Sequence, residues 1–411
     1  MTDLPPSDDP PPRRNRLRRL PRNVWVVSAT SLLTDASTES LTGLLPFYLT
    51  LALGAPPAAV GLIEGVGEAT ASLVKLASGW ASDRWRRRKP LAVFGYGLSA
   101  AAKPMLLAAT TWPLVLLARF LERAGKGIRT APRDALLADS LPAATRGLGF
   151  GLHRAADTAG AVIGTTLALL LVIAGGGQTV SVSTFRTAVL FSLVPAAAGV
   201  VLLAWRAREI RPPAIEPSER KAPNPLRERR FRWFVAAMIV FTLGNSSDAF
   251  LLLRAQNLGL SIAAAIGLMI VVSLVHALLA APLGALSDRW GRKPVLLVGW
   301  GLYGLVYLSL AITSDSRVLW IVLAVYGVYY AATESVGKAL VGDMVASPSR
   351  GTAYGQYHAA IGLAALPASL LAGAAWQWIG PDAPFALGAL LAGAATVILW
   401  RMPAEPVSRN V

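Results

Sequence analysis

The sequence predicts an all-α integral membrane protein with twelve transmembrane helices, arranged as two pseudo-symmetric six-helix bundles. Three observations lead there. Of 411 residues, 54% are hydrophobic and only 15% charged, where ordinary soluble domains carry about 25% charged residues. Lysine and arginine sit in short clusters between long apolar runs, as in a polytopic membrane protein. Two sequence phrases also recur in both halves of the chain at nearly one spacing, the mark of an internal repeat.

A helix needs about 20 mostly apolar residues to cross a ~30 Å hydrocarbon layer. Residues 1–23 form a proline-rich, basic tail with six arginines, which orients the first span and is expected to be disordered. Its following apolar run is too long for a signal-peptide core, so it reads as a retained span. The first bundle, residues 24–206, holds the runs Val24 to Leu53, Ala58 to Ser82, Leu91 to Ala109, Trp112 to Asp139, Gly147 to Ala174 and Thr187 to Arg206. A linker, residues 207–230, lacks an apolar run; from Arg206 to Arg230 there are five prolines and eight basic residues. The second bundle, residues 231–400, holds Phe231 to Leu253, Ile262 to Leu286, Pro294 to Thr313, Val318 to Asp343, Thr352 to Trp376 and Ala383 to Trp400, before a tail at 401–411.

With both termini on one side, the loops there carry 26 Lys+Arg and the opposite loops three, namely Arg186, Arg254 and Arg317. That asymmetry places both termini in the cytoplasm and supports the helix count, since one span more or fewer would scramble it. The net charge of +16 is therefore spread over loops and gives no nucleic-acid-binding face. With no cysteine and only three dispersed histidines (His153, His276, His358), no metal site, thiol chemistry or cofactor is expected.

Gly79-x-x-x-Asp83-Arg84-Trp85 recurs as Gly284-x-x-x-Asp288-Arg289-Trp290, 205 residues later, at the end of the second span of each half. Asp139-x6-Arg146-Gly147 recurs as Asp343-x6-Arg350-Gly351, 204 residues later, between the fourth and fifth spans. An Asp at a helix end within reach of arginines makes charge-assisted hydrogen bonds in one conformation and releases them in another. Asp83, Arg84, Asp139, Arg146, Asp288, Arg289, Arg292, Asp343 and Arg350 are accordingly expected to form a cytoplasmic gating latch.

The chain here resembles the major facilitator superfamily, over all twelve spans. Gly284-Ala285-Leu286-Ser287-Asp288-Arg289-Trp290-Gly291-Arg292-Lys293 looks like a complete copy of that family's loop motif. In the first copy Arg86 replaces the glycine that permits a tight turn, so that loop is expected to turn differently. Gly151, Gly160 and Gly164 partly match the antiporter motif of the family's drug/proton-antiporter branch, and Arg123-x-x-Lys126-Gly127 is similar to that branch's arginine motif. The resemblance implies a major facilitator fold and favours export.

Ionisable residues at mid-membrane are costly and are kept when they pair or work. Arg119, Glu122, Arg123, Lys126, Arg129 and Arg133 of the fourth span fall within about 120° at 100° per residue, so they form one polar face turned to a cavity or another helix, a charge network and candidate substrate site. At ~1.5 Å per residue, Asp35 with Glu68 and Glu39 with Glu64 come out at matching depths, with Asp157 and Arg123 near the midplane. Central acids outnumber central bases, with Lys103 joining Arg119, Arg123 and Lys126. Asp35, Glu39, Glu64, Glu68 and Asp157 are therefore the expected proton-coupling residues, because a carboxylate without a cation in low dielectric takes up a proton. In the second half, Glu334 and Lys338 are four apart and expected to pair. His276 and His358 read as packing histidines, and Phe241, Phe250, Trp300, Tyr303, Tyr307, Tyr326, Tyr329 and Tyr330 read mainly as packing, with a possible share in substrate walls.

These features point to a secondary transporter working by alternating access. It is expected to act as a monomer in the bacterial inner membrane, with protons and a small organic solute as partners, and to export that solute. Import of an anion by proton symport, and a non-transporting membrane receptor, are the alternatives. No nucleotide-binding motif, metal cluster or nucleophile with a base supports an enzyme.

Overall fold

The computed structural model describes residues 20–403 apart from 46–47, 56, 175–180, 211–223, 246–247 and 261. The described chain is helical throughout: α1 (Arg22–Thr42), α2 (Pro57–Arg84), α3 (Lys89–Ala102), α4 (Trp112–Asp139), α5 (Arg146–Ala174) and α6 (Val182–Arg206) form the first half. The second half holds α7 (Arg229–Gly244), α8 (Ala249–Asn257), α9 (Ile262–Trp290), α10 (Arg292–Ile312), α11 (Val318–Met344), α12 (Arg350–Trp378) and α13 (Ala383–Trp400). The expected seventh span is thus two helices, α7 and α8, while α9 to α13 fill the eighth to twelfth. Most of the tails and the centre of the linker lie outside the described residues.

Seven helical segments are long and apolar enough to cross a membrane by length and composition alone. The charged α4 fails that test, yet its charges face inward, as described below. Large apolar side chains on the outside, such as Trp205, Ile312 and Trp378 at 74–80% exposure, have no place in water and fit a lipid-facing belt. Prolines lie inside α4 (Pro132), α6 (Pro195), α9 (Pro282) and α12 (Pro367), as membrane helices tolerate, and Pro132 is buried among its neighbours.

Within the first half α1 packs on α5 and α6, and α4 lies between α2 and α3; in the second, α10 packs on α11 and α13. The halves meet through two equivalent seams, α5 against α9 and α2 against α12. Glycine makes both possible. A Cβ on Gly79 would sit 2.2 Å from the Gly351 carbonyl oxygen, and one on Gly284 would sit 2.1 Å from that of Gly147. Gly160 and Gly164 likewise bring α5 onto α1, where a Cβ would meet the carbonyls of Leu32 and Ala36 at 2.2 and 2.4 Å. Close backbone approach is what small residues supply where no hydrophobic effect drives helices together.

Candidate functional site

The repeated phrases build one pseudo-symmetric interlock between the halves. Asp83, at the end of α2, accepts from the backbone N–H groups of Gly351 (3.0 Å) and Thr352 (2.5 Å) in the first turn of α12. Asp288, at the end of α9, does the same to Gly147 (2.8 Å) and Leu148 (2.9 Å) of α5. Each carboxylate satisfies orphan donors at a helix N-terminus and complements its dipole. Around them run two chains of ions. Arg88 bonds Asp83 and lies 3.3 Å from Asp139, which takes Arg350 at 2.6 Å. Arg292 bonds Asp288 and lies 2.9 Å from Asp343, which takes Arg146 at 2.5 Å. Each central arginine also reaches a carbonyl of the other half, Arg88 to Ser347 and Arg292 to Ala143, both at 2.8 Å.

Two expected members are absent from this interlock. Arg84 and Arg289 are exposed and make no ion pair among the described residues, because one residue beyond the Asp, about 100° round the helix, their side chains leave the seam. Arg88, fully buried, takes the role instead. Arg88 is five residues beyond Asp83 whereas Arg292 is four beyond Asp288, so the first loop contains one extra residue. That single residue accounts for the change of period from 205 to 204. Both loops pass through positive φ at the motif's glycine position, Arg86 at 53° and Gly291 at 91°, so Arg86 adopts the left-handed half of the map in spite of its side chain. The fall in repeat period from 205 to 204 is the sign in the sequence that one residue is gained in the first half between Asp83 and Asp139.

Above the interlock, α4 turns its polar face inward. Asp35, Thr38, Glu39 and Thr42 of α1 and Glu122, Arg123, Lys126 and Arg129 of α4 line a small polar cavity. Arg119 bonds Glu122 at 2.7 Å, and Arg129 lies over the Tyr96 ring, 4.4 Å from its centre, and donates to Ser99 at 2.8 Å. Lys103, 1% exposed, donates to Thr38 at 3.2 Å. Glu68 is held by Arg123 at 2.7 Å with its side chain 60% exposed. Asp35 of α1 and Asp157 of α5 are neighbouring carboxyl groups where those two helices pack, each within the other's field. The depth-matched pairing of Asp35 with Glu68 is therefore replaced by Asp35 with Asp157 and Glu68 with Arg123, since depth along a helix does not fix which way a side chain points. The side chain of Glu64, and with it the pairing with Glu39, lies outside the described residues.

Mid-depth contacts also cross the seam. Arg154 on α5 bonds Asp157 at 2.6 Å and Glu334 of α11 at 2.7 Å. Lys338 approaches Asp134 of α4 at 3.5 Å, and the His358 ring nitrogen lies 2.8 Å from the same carboxylate. The expected pair Glu334 with Lys338 does not form, because each finds a partner in the opposite half. His276 stacks on Tyr330 at 5.4 Å, and its Nε2 lies 3.6 Å from Glu334. With Arg154 and Arg129 set among the acids, the expected general surplus of acids is gone. What remains is local, two carboxyl groups in contact.

In the second half Phe241, Trp300, Tyr303, Tyr307, Tyr326 and Tyr329 are buried against one another, with Phe241 stacked on Trp300 at 4.6 Å, and form core. Tyr326 and Tyr330 instead donate to Asp248, each at 3.2 Å, at the break between α7 and α8. Arg254 is not in an external loop. It is 5% exposed on α8, where it donates to the carbonyls of Leu310 (3.1 Å) and Thr313 (2.9 Å) and bonds Asp382 at 2.5 Å.

Comparison with known proteins matches this architecture. A sequence profile described as Major Facilitator Superfamily matches residues 27–272 and 234–411. An uncharacterized MFS-type transporter of Methanocaldococcus jannaschii is 35% identical over 381 residues, spanning 91% of this chain and 93% of the relative. A class B tetracycline resistance protein of Escherichia coli is 32% identical over 124 residues, 30% of each chain. The solved structure of the major facilitator transporter FucP in the outward conformation superposes with a TM-score of 0.77 at 13% identity, covering 93% of this chain and 99% of that one. The twelve spans, the paired seams and these relatives establish a multi-pass membrane transporter, not an enzyme, and the chain belongs to the Major Facilitator Superfamily.

Proposed function

We propose that the protein is a proton-coupled exporter of a small organic solute, acting as a monomer in a bacterial cytoplasmic membrane with both termini and the interlock on the cytoplasmic side. The observation that carries the proton reading is the Asp35–Asp157 contact beside the polar cavity. Two neighbouring carboxyl groups can bond to each other only with a proton on one of them, since an ionised carboxylate only accepts. Two such groups in contact cannot both ionise cheaply, so one site is poised to bind and release a proton. The cationic face of α4 next to it gives the released carboxylates somewhere to turn. Export is supported by the partial likeness to tetracycline resistance proteins and to the antiporter motif, and cytoplasmic placement by the 26 to 3 imbalance of basic residues.

The test is transport by purified protein in proteoliposomes under an imposed pH gradient, over a panel of organic compounds. Asp35→Asn should abolish gradient-driven accumulation while downhill exchange continues, because the amide imitates the protonated state and cannot release a proton. Glu68→Gln and Glu39→Gln should do less. Wild-type accumulation by Asp35→Asn sinks the assignment.

A further inference from the structure

We infer that Arg154 couples the Asp35–Asp157 pair in one bundle to Glu334 in the other, so that the proton content of the pair decides whether the bundles are held together at mid-depth. This rests on the proton-coupled reading above and extends it to a residue that no motif assigns.

One guanidinium spans the seam. Its Nη1 takes Asp157, three residues on along α5, and its Nη2 takes Glu334 of α11. A planar fork with five donors can hold two carboxylates at once, which an ammonium does poorly. The next carboxyl beyond Asp157 is Asp35 of α1. A single guanidinium is thus shared between a carboxyl pair and a carboxylate belonging to the other half.

Glu334 has a second place to go. Its Oε2, the atom that Arg154 holds at 2.7 Å, also lies 3.6 Å from the Nε2 of His276, which is buried without a hydrogen bond. Buried polar atoms are seldom left unpaired without a reason. A modest turn of Glu334 onto His276 satisfies that nitrogen, so this side chain has a second partner within reach, the physical requirement for a switch.

The surrounding charges set the sign. Lys126 and Arg129 of α4 face Asp35, while Arg133 of α4 and His153 of α5 face Asp157. On the other side His276 and Tyr330 join Glu334 near Arg154, and Asp248, Tyr329 and Tyr357 also face Glu334. With one proton shared, the pair carries a single negative charge and Arg154 divides its donors between Asp157 and Glu334. Loss of that proton adds a full negative charge on the α5 side, draws the guanidinium off Glu334 and frees Glu334 for His276. The cross-seam tie is then lost, so raising the pH favours separation of the bundles at the interlock face.

The chain has no cysteine, so Arg84→Cys and Arg289→Cys, exposed positions outside the interlock on opposite halves, can carry two spin labels without background. Distances between them, measured in lipid nanodiscs from pH 5 to pH 9, should shift toward longer values as pH rises. Arg154→Gln and Glu334→Gln should each lose that shift, and Arg154→Lys should keep part of it. If Arg154→Gln does not yield a monodisperse protein, Glu334→Gln breaks the same tie from the other bundle. A full pH-dependent shift in the glutamine variants overturns the role of Arg154 while leaving proton coupling standing. Distances that ignore pH in the labelled protein without further substitution overturn the proton reading and this inference together.

Discussion

The slipped register of the first loop yields a sharp prediction about two neighbouring arginines. By spacing, Arg87 is the counterpart of Arg292, four residues beyond its Asp; by position in the structure, the counterpart is Arg88, which is fully buried between Asp83 and Asp139 while Arg87 is exposed. Arg88→Ala leaves two carboxylates in the seam without their shared cation, and breaking a buried pair in this way costs about 3–5 kcal/mol. On the reading of the interlock as a gating latch, that cost falls on the closed side of the conformational equilibrium. It shifts the balance toward opening by about two to three and a half orders of magnitude, at 1.4 kcal/mol per factor of ten. Arg87→Ala should change the equilibrium by no more than about 0.5 kcal/mol, as for other surface substitutions. The labelled pair at positions 84 and 289 reads the closed and open populations directly. Equal opening by the two variants, or no opening by Arg88→Ala, would refute the assignment of Arg88.

Other expectations follow from the packing. Gly79→Ala and Gly284→Ala should each prevent closure, since the added methyl would lie within 2.2 Å of a carbonyl oxygen across the seam; Gly301→Ala, with nothing within 4 Å of its added methyl, should leave the distance distribution unchanged. Arg254→Ala should destabilise the second bundle by about 1–3 kcal/mol, as leaving the Leu310 and Thr313 carbonyls without their donor does, and lower the apparent Tm by several degrees. Arg317→Ala, at an exposed loop, should not; equal Tm values would show that the Arg254 clamp is not structural.

Much of the fold was legible because hydrophobic length, loop charge and repeated phrases are properties of the chain taken in order. The seams were half legible: Asp83, Asp139, Asp288 and Asp343 announced themselves by recurring. What stayed hidden depends on direction. Position along a helix gives depth but not the neighbour a side chain will face, so depth alone pairs Asp35 with Glu68 although it meets Asp157, and spacing alone pairs Glu334 with Lys338 although each crosses the seam. Arg254 reads as a loop cation because its helix, α8, is only nine residues long and follows a break that apolar composition does not reveal. Arg154 belongs to no repeated phrase, and its partners come from two different helices.

The contact between Asp134 and Lys338 has an evolutionary consequence. These residues are 204 apart, the same spacing that relates Asp139 to Asp343 on the same two helices, so they are equivalent positions of the two repeats that meet each other at 3.5 Å. Two identical copies of either half, associated in this way, would place like charges there, a repulsion of about 5 kcal/mol at an effective dielectric constant of 20. Joined in one chain and free to diverge, the halves carry an acid on one side and a base on the other. An acid set opposite a base at this place disfavours either half pairing with its own copy.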